Sequence, residues 1–418
     1  MKKMVFMAAF VAACTAFVAC SNENDLVQQA PDVPEEPTVK YPMTLIVSTP
    51  STRGTDFDAD HPLESFYLYS NFNDTWKNGA LFEKDESTWM NRYSATMQWS
   101  QEDVDNSNTY TFYGINDVAN LTVANATVQK PSVLEETVSF GYTMPKYLKT
   151  KAEENDPDEY YVNYADQVDL LVAKATAGPN YGETPGALNV TFDHALALIH
   201  HIYVYANPDN IPEDERTLWK FRINSIKLGG LKNAGVYTFG TTSANGTWDV
   251  STGDDVEFDI PLDHTHMSFA EMEFSAGEKK TTAKELPLTD DGLYLIPQQA
   301  SGSVISSPDP NLNFEVSGPY AELEMQGATD EGEGNTTFFI CNYEDPDLEG
   351  FGWNEATSEV NGYKIVRVPL NFTVVAGRVY NLYIDVTKAI VYKNSPNQNR
   401  NLGESAITGD TIEFETGG

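Results

Sequence analysis

Cysteine is nearly absent: the 418 residues hold three, at positions 14, 20 and 341, and two of those fall in the first twenty residues. The body of the chain therefore has one thiol, Cys341, and no intramolecular disulfide to staple it, so stability has to come from buried apolar cores. With no histidine near it in sequence, Cys341 in "TFFICNYED" reads as a buried strand residue rather than a nucleophile. Basic residues are also scarce, 26 lysines and arginines against 62 aspartates and glutamates, for a formal charge of −36. Phosphate backbones and anionic lipid surfaces repel such a chain, which argues against nucleic-acid binding and polybasic membrane docking. Long stretches of helical periodicity are scarce too. Gly-rich phosphate loops are missing, since "LGGLKNAG" lacks the closing lysine and hydroxyl residue.

What is present begins with "MKKMVFMAAFVAACTAFVAC". Lys2 and Lys3 make a basic start, and the apolar run from Met4 to Ala19 is short and rich in small residues, which predicts a cleaved export signal over residues 1–19. "FVAC", ending at Cys20, resembles the lipobox of bacterial lipoproteins, whose cysteine is acylated and becomes the new N-terminus. "VAAC", ending at Cys14, is a rival with a better first position, but Cys20 leaves the longer apolar run and is followed directly by "SNENDLVQQAPDVPEEP". That acidic start resembles the surface-export signal of Bacteroidota lipoproteins. Loss of Lys2 and Lys3 with the leader takes the formal charge from −36 to −38. Several acyl chains hold a protein on a membrane where one does not.

Residues 20–40 are too polar and proline-rich to bury a core and read as a flexible acidic tether. Beyond them the dominant period is two. In "KIVRVPLNFTV" the residues Val366, Val368, Leu370, Phe372 and Val374 share a face; "AGR" turns the chain; "VYNLYIDV" returns with Tyr380, Leu382, Ile384 and Val386 on one side, which predicts a hairpin. A second hairpin is predicted in "VYTFGTTSANGTWDV", around Asn245-Gly246. Further strands are expected in "SFYLYSNF", "NTYTFYGI", "QVDLLVAKA", "WKFRINSIKL", "DGLYLIPQQ", "AELEMQGA" and "NTTFFICNY". "TFDHALALIHHIYVYA" could line a helix face through Ala195, Leu196, Ile199, Ile202 and Tyr203, but its β-branched and aromatic second half favours a strand. The expectation is an all-β chain of two β-sandwich domains, residues 41–187 and 188–418, divided after the loop "AGPNYGETPG".

Chemistry is hard to find. His264 and His266 in "HTH" could share a strand face, but zinc needs a further ligand and no metal site is assigned. Asp193-His194 has no accompanying nucleophile motif, and His194 reads as a core-edge residue. Carboxylates are scattered through "STGDD", "TDDG", "TDEGEG" and "NYEDPDLEG", none matching a calcium loop, and they read as a solubility feature. No catalytic residue and no cofactor is expected. Trp76, Trp89, Trp99, Trp219, Trp248 and Trp353 could include a platform for sugars, against the plainer reading that they fill sandwich cores. A surface glycan-binding lipoprotein that does not polymerise is therefore the alternative function.

A lipobox cysteine, an acidic tether, the strand "MTLIVST" followed by "TRG", then "DHALALIHHIYVYA", "YLIPQQ" and "VVAGRVYNLYIDV" come in an order that resembles the fimbrillin family of Bacteroidales, subunits of type V pili. The resemblance implies two transthyretin-like β-sandwich domains, a non-enzymatic structural or adhesive role, and a place at the outer membrane and in the fimbrium. It implies an arginine-specific surface protease cutting after Arg53, with Gly54 the new N-terminus and the strand of Met43, Leu45 and Val47 displaced. Other pilin subunits are the implied partners, each filling a neighbour's groove by β-strand addition, with a host or bacterial surface ligand beyond them. The residues themselves are compatible: Met43, Leu45 and Val47 alternate along a strand, and "PSTRGTD" has the composition of an exposed turn. At the other end, "DTIEFETGG" supplies Ile412 and Phe414 as the alternating apolar pair of a candidate donor strand, polar for that task.

Overall fold

A computed structural model describes residues 41–49, 63–86, 88–91, 97–117, 127–131, 137–150, 158–163, 167–182, 185–205, 219–241, 245–260, 262, 273–275, 284–286, 292–305, 315–329, 339–340, 364–386 and 390–391. The architecture is all-β, with two short helices, Asp74–Lys77 and Gln101–Asn106, among the described residues. Cys20, Arg53, Gly54, His264, His266, Cys341, Trp353, Ile412 and Phe414 lie outside the described residues.

One seven-stranded sheet runs in the order Thr44–Ser48, Ala187–His194, Leu171–Ala177, Tyr110–Asn116, Ser65–Ser70, Ala80–Asp85, Thr88–Asn91. All its pairs are antiparallel except the first, in which Thr44–Ser48 lies parallel to Ala187–His194. Ser65–Ser70 and Leu171–Ala177 in its middle are buried on both faces and read as almost continuous apolar runs, whereas Thr44–Ser48 and Ala187–His194 alternate between buried and exposed positions. Phe66, Leu68, Phe82, Phe112, Leu188, Val190 and Phe192 point into one cluster, with Trp76 and Trp99. Tyr69, Ile115 and Val172 point into a second, larger cluster on the opposite face.

A second seven-stranded sheet is built around the long strand Trp219–Lys232, flanked by Asp255–Ile260 and Tyr320–Thr329, with Lys364–Pro369 outside the latter. The ambiguous "HALALIHHIYVY" is a strand, Ala197–Tyr205, paired in parallel with Val379–Asp385 and antiparallel with Leu293–Leu295. The C-terminal apolar stripe is buried as its period requires, from Val368 to Val374 and from Tyr380 to Val386. Its two halves are not a hairpin, however. Lys364–Pro369 pairs with Tyr320–Thr329, Asn371–Thr373 with Gln299–Ser301, and Val379–Asp385 with Ala197–Tyr205. Gly377, at φ 73°, supplies the turn, but the turn moves the chain between sheets. The other expected hairpin does form, Val236 facing Asp249 and Tyr237 facing Trp248, across a longer connection than a two-residue turn.

The loop at 177–186 joins two antiparallel neighbours of one sheet, Leu171–Ala177 and Ala187–His194. The division expected at 187 and 188 falls at the head of the second of these. The chain leaves that sheet across Ala195 and Leu196, both fully buried. Ala195 donates to the Leu170 carbonyl at 2.7 Å, and its own carbonyl accepts from the Trp248 indole at 2.8 Å. Strands placed before that division also pair with strands after it: Ser139–Thr143 with Ala234–Thr238, and Tyr160–Asn163 with Asp255–Ile260.

Candidate functional site

The first strand closes the smaller core. In "YPMTLIVST" the exposed and buried positions alternate: Met43 is 5% exposed, Leu45 and Val47 pack against the apolar cluster, and Ile46 on the opposite side is 44% exposed. The parallel register places Leu45 beside Leu188 and Val47 beside Val190, so each side chain of the strand extends an apolar row begun by its partner. The strand is the end member of its sheet, hydrogen-bonded to a single neighbour. Among the described residues, its outer edge carries no further strand.

The end of the strand nearer Tyr41 is held more tightly. Tyr41 and Pro42 pair antiparallel with Trp99 and Gln98, Met43 donates its N–H to the Met97 carbonyl at 2.9 Å, and the Tyr41 hydroxyl donates to Gln101 Oε1 at 3.1 Å. The Gly186 carbonyl accepts twice, from the Thr44 N–H at 3.2 Å and from Trp99 Nε1 at 3.3 Å. Gly186 has φ +80°, and a Cβ there would approach the Pro42 carbonyl and the Trp99 indole at 3.4 and 3.6 Å. Glycine suits this position because it adopts a positive φ without steric cost.

Trp99 is itself fixed by the helix that begins two residues later. Ser100 caps the helix Gln101–Asn106 in a reciprocal capping box with Asp103. The buried Asp103 carboxylate accepts from the Ser100 hydroxyl and the Tyr110 hydroxyl, each at 2.6 Å, and from Asn108 Nδ2 at 3.1 Å. Burial alone would raise this carboxyl, but the bonds from Ser100, Tyr110 and Asn108 outweigh it and hold Asp103 below the ordinary carboxylate value. The Trp99 ring stacks near Tyr110 at 6.3 Å and meets Phe72 edge-on at 5.3 Å.

Of the other residues singled out in the sequence, His194 is buried and its Nδ1 meets a carboxylate oxygen of Asp169, not of its neighbour Asp193. Trp76 and Trp99 are core residues, and Trp89 and Trp248 pack against the cores. No group of three or more metal-ligating side chains occurs among the described residues. No helix among them is long and apolar enough to cross a membrane. Sequence reasoning missed the contacts around Tyr41, Trp99 and Gly186. One signal was available, Ser100-x-x-Asp103, a capping-box spacing that marks a helix start just after Trp99.

No protein-family profile matches the chain. No curated protein matches it either. Among solved structures, a fimbrial protein from Bacteroides vulgatus is 15% identical, with 83% of this chain and 95% of that one covered, at a TM-score of 0.42. A fimbrial assembly protein from Parabacteroides distasonis is 10% identical, with 83% and 91% covered, at a TM-score of 0.30.

Proposed function

We propose that this protein is a structural or adhesive subunit of a surface fibre, without enzymatic activity, and that it assembles by exchange of its first strand. In this reading it is exported as a lipoprotein acylated at Cys20 and reaches the outer membrane. An arginine-specific protease cuts after Arg53 to leave Gly54 as the N-terminus, and the strand carrying Met43, Leu45 and Val47 is then replaced by a strand of another subunit. Ile412 and Phe414 belong to the candidate donor. A host or bacterial surface ligand is the remaining partner class.

One observation carries the reading. The first strand is an end strand with its apolar side chains in a core, joined to the sheet by one ladder, so its removal leaves an open edge with an apolar row ready for another chain. That geometry, and not the likeness to solved structures, supports strand exchange.

The test is brief exposure of the folded protein to an arginine-specific protease, with mass spectrometry of the product and size-exclusion chromatography over a concentration series. The expected result is a single stop at Arg53 and oligomers that grow with concentration once the strand has left. A cut chain that loses the strand and stays monomeric at every concentration overturns the proposal.

A further inference from the structure

We propose that the residues just ahead of the first strand form a clip that keeps it seated after the chain beyond it is cut, so that scission and opening of the groove are separate events. This rests on the reading of the strand as a removable one and adds how its removal is held back.

The two ends of the segment are unequally fastened. Toward Tyr41 it is gripped from two sides, by Gln98 and Trp99 through the short antiparallel pairing and by the Gly186 carbonyl, with Met43 sunk in the core. Toward Ser48 it has only the parallel ladder to Ala187–His194, and Ser48 and Thr49 are exposed. A cut beyond Ser48 frees the weakly held end and leaves the clip untouched. The strand therefore opens from Ser48 toward Met43, and a competing strand gains its first foothold beside Thr191 and Val190, the register partners of Ser48 and Val47. Trp99 sits at the centre of the clip. Its backbone pairs with Tyr41 while its indole N–H shares the Gly186 carbonyl with Thr44.

The experiment uses two versions of the purified full chain, one with its own Arg53 and one in which residues 50–56 are replaced by the recognition sequence of a site-specific protease. Each is nicked, and departure of the leader peptide is followed by size-exclusion chromatography with mass spectrometry. The leader is expected to co-elute with the nicked protein. Tyr41→Ala, which lies in the departing peptide and leaves the rest of the fold intact, is expected to speed its release about tenfold, and Trp99→Phe to act in the same direction. Hydrogen exchange of the nicked protein is expected to be at least about tenfold slower at Met43 and Thr44 than at Val47 and Ser48. A leader that leaves the unmutated chain as fast as it leaves the Tyr41→Ala chain overturns the clip, as does an even or reversed exchange gradient. Either result leaves the removable strand standing. If Arg53 resists the arginine protease, the assembly reading loses its activating step, while the engineered nick still decides the clip.

Discussion

Replacing Met43 and Ile46 one at a time by alanine separates the two faces of the first strand. Met43 is 5% exposed and packs in the cluster that holds Leu188, Val190, Trp76 and Trp99. Ile46 is 44% exposed on the other face. Truncating a buried methionine removes both its transfer free energy and the filling of its site, so Met43→Ala is expected to cost about 2–5 kcal/mol. Ile46→Ala removes a similar volume from a solvated surface and is expected to fall within about 0.5 kcal/mol of no effect. Leu45→Ala, at a partly buried site, belongs between them at roughly 1–2 kcal/mol. The assay is urea unfolding followed by tryptophan fluorescence, because Trp76 and Trp99 lie in the same cluster as Met43 and report its opening. With a slope of about 3 kcal/mol/M, a loss of about 3 kcal/mol moves the midpoint by about 1 M. Equal midpoints for Met43→Ala and Ile46→Ala would refute the assigned facing, and with it the inference that the strand plugs a core.

Asp103→Asn is expected to destabilise by about 1–3 kcal/mol, because the neutral amide brings donors of its own to a place where four donors converge, the Ser100 N–H and hydroxyl, the Tyr110 hydroxyl and Asn108 Nδ2. Since the folded carboxyl titrates below its unfolded value near 3.9, its contribution is fully present above about pH 4 and is lost as pH falls through the folded value. An acid-unfolding titration should show that loss in the parent protein and lack it in Asp103→Asn. Gly186→Ala is expected to cost about 1–2 kcal/mol through the positive φ, and to raise amide exchange at Thr44, which donates to the Gly186 carbonyl. Tyr142→Phe is expected to leave stability unchanged or raise it by up to about 1 kcal/mol. Burial pushes the Tyr142 hydroxyl well above its ordinary value, and among the described residues that hydroxyl has no hydrogen-bond partner. A loss of about 2 kcal/mol on urea unfolding would contradict this.

Facing was legible in the sequence, and pairing only in part, for the hairpin of Val236 and Tyr237 with Asp249 and Trp248. The stripe from Val368 to Val374 and from Tyr380 to Val386 is buried residue by residue as its period of two dictates, yet its halves lie in different sheets. Periodicity records which side of a strand meets a core and carries no information about the neighbour across the hydrogen bonds. The "HALALIHHIYVY" segment was legible as a strand because β-branched and aromatic residues fit a pleated surface better than a helix. The polar loop at 177–186 looked like a linker, since glycine, proline and asparagine serve a turn between neighbouring strands and a joint between domains equally well. In the site, the alternation of Met43, Leu45 and Val47 was visible. The clip was not, because its indole-to-carbonyl bond joins residues 87 positions apart.

The place of the first strand explains how a sheet can part with it. An inner strand such as Leu171–Ala177 holds two ladders and faces two cores, so its loss would open both. Thr44–Ser48 holds one ladder and contributes side chains to the smaller cluster alone. Phe192 on its partner keeps its place through the remaining neighbour, since Phe192, Asp193 and His194 still pair with Ala173, Val172 and Leu171. Removal exposes the apolar row of Leu188 and Val190, whose ladder among the described residues is to the first strand. A replacement strand would restore the ladder along residues 187–191 and cover the same apolar row. The same geometry makes the bare edge prone to pairing with any extended apolar segment, which is the hazard of an unprotected sheet edge. A clip that holds the original strand until a competitor has begun to pair shortens the time for which that edge is bare.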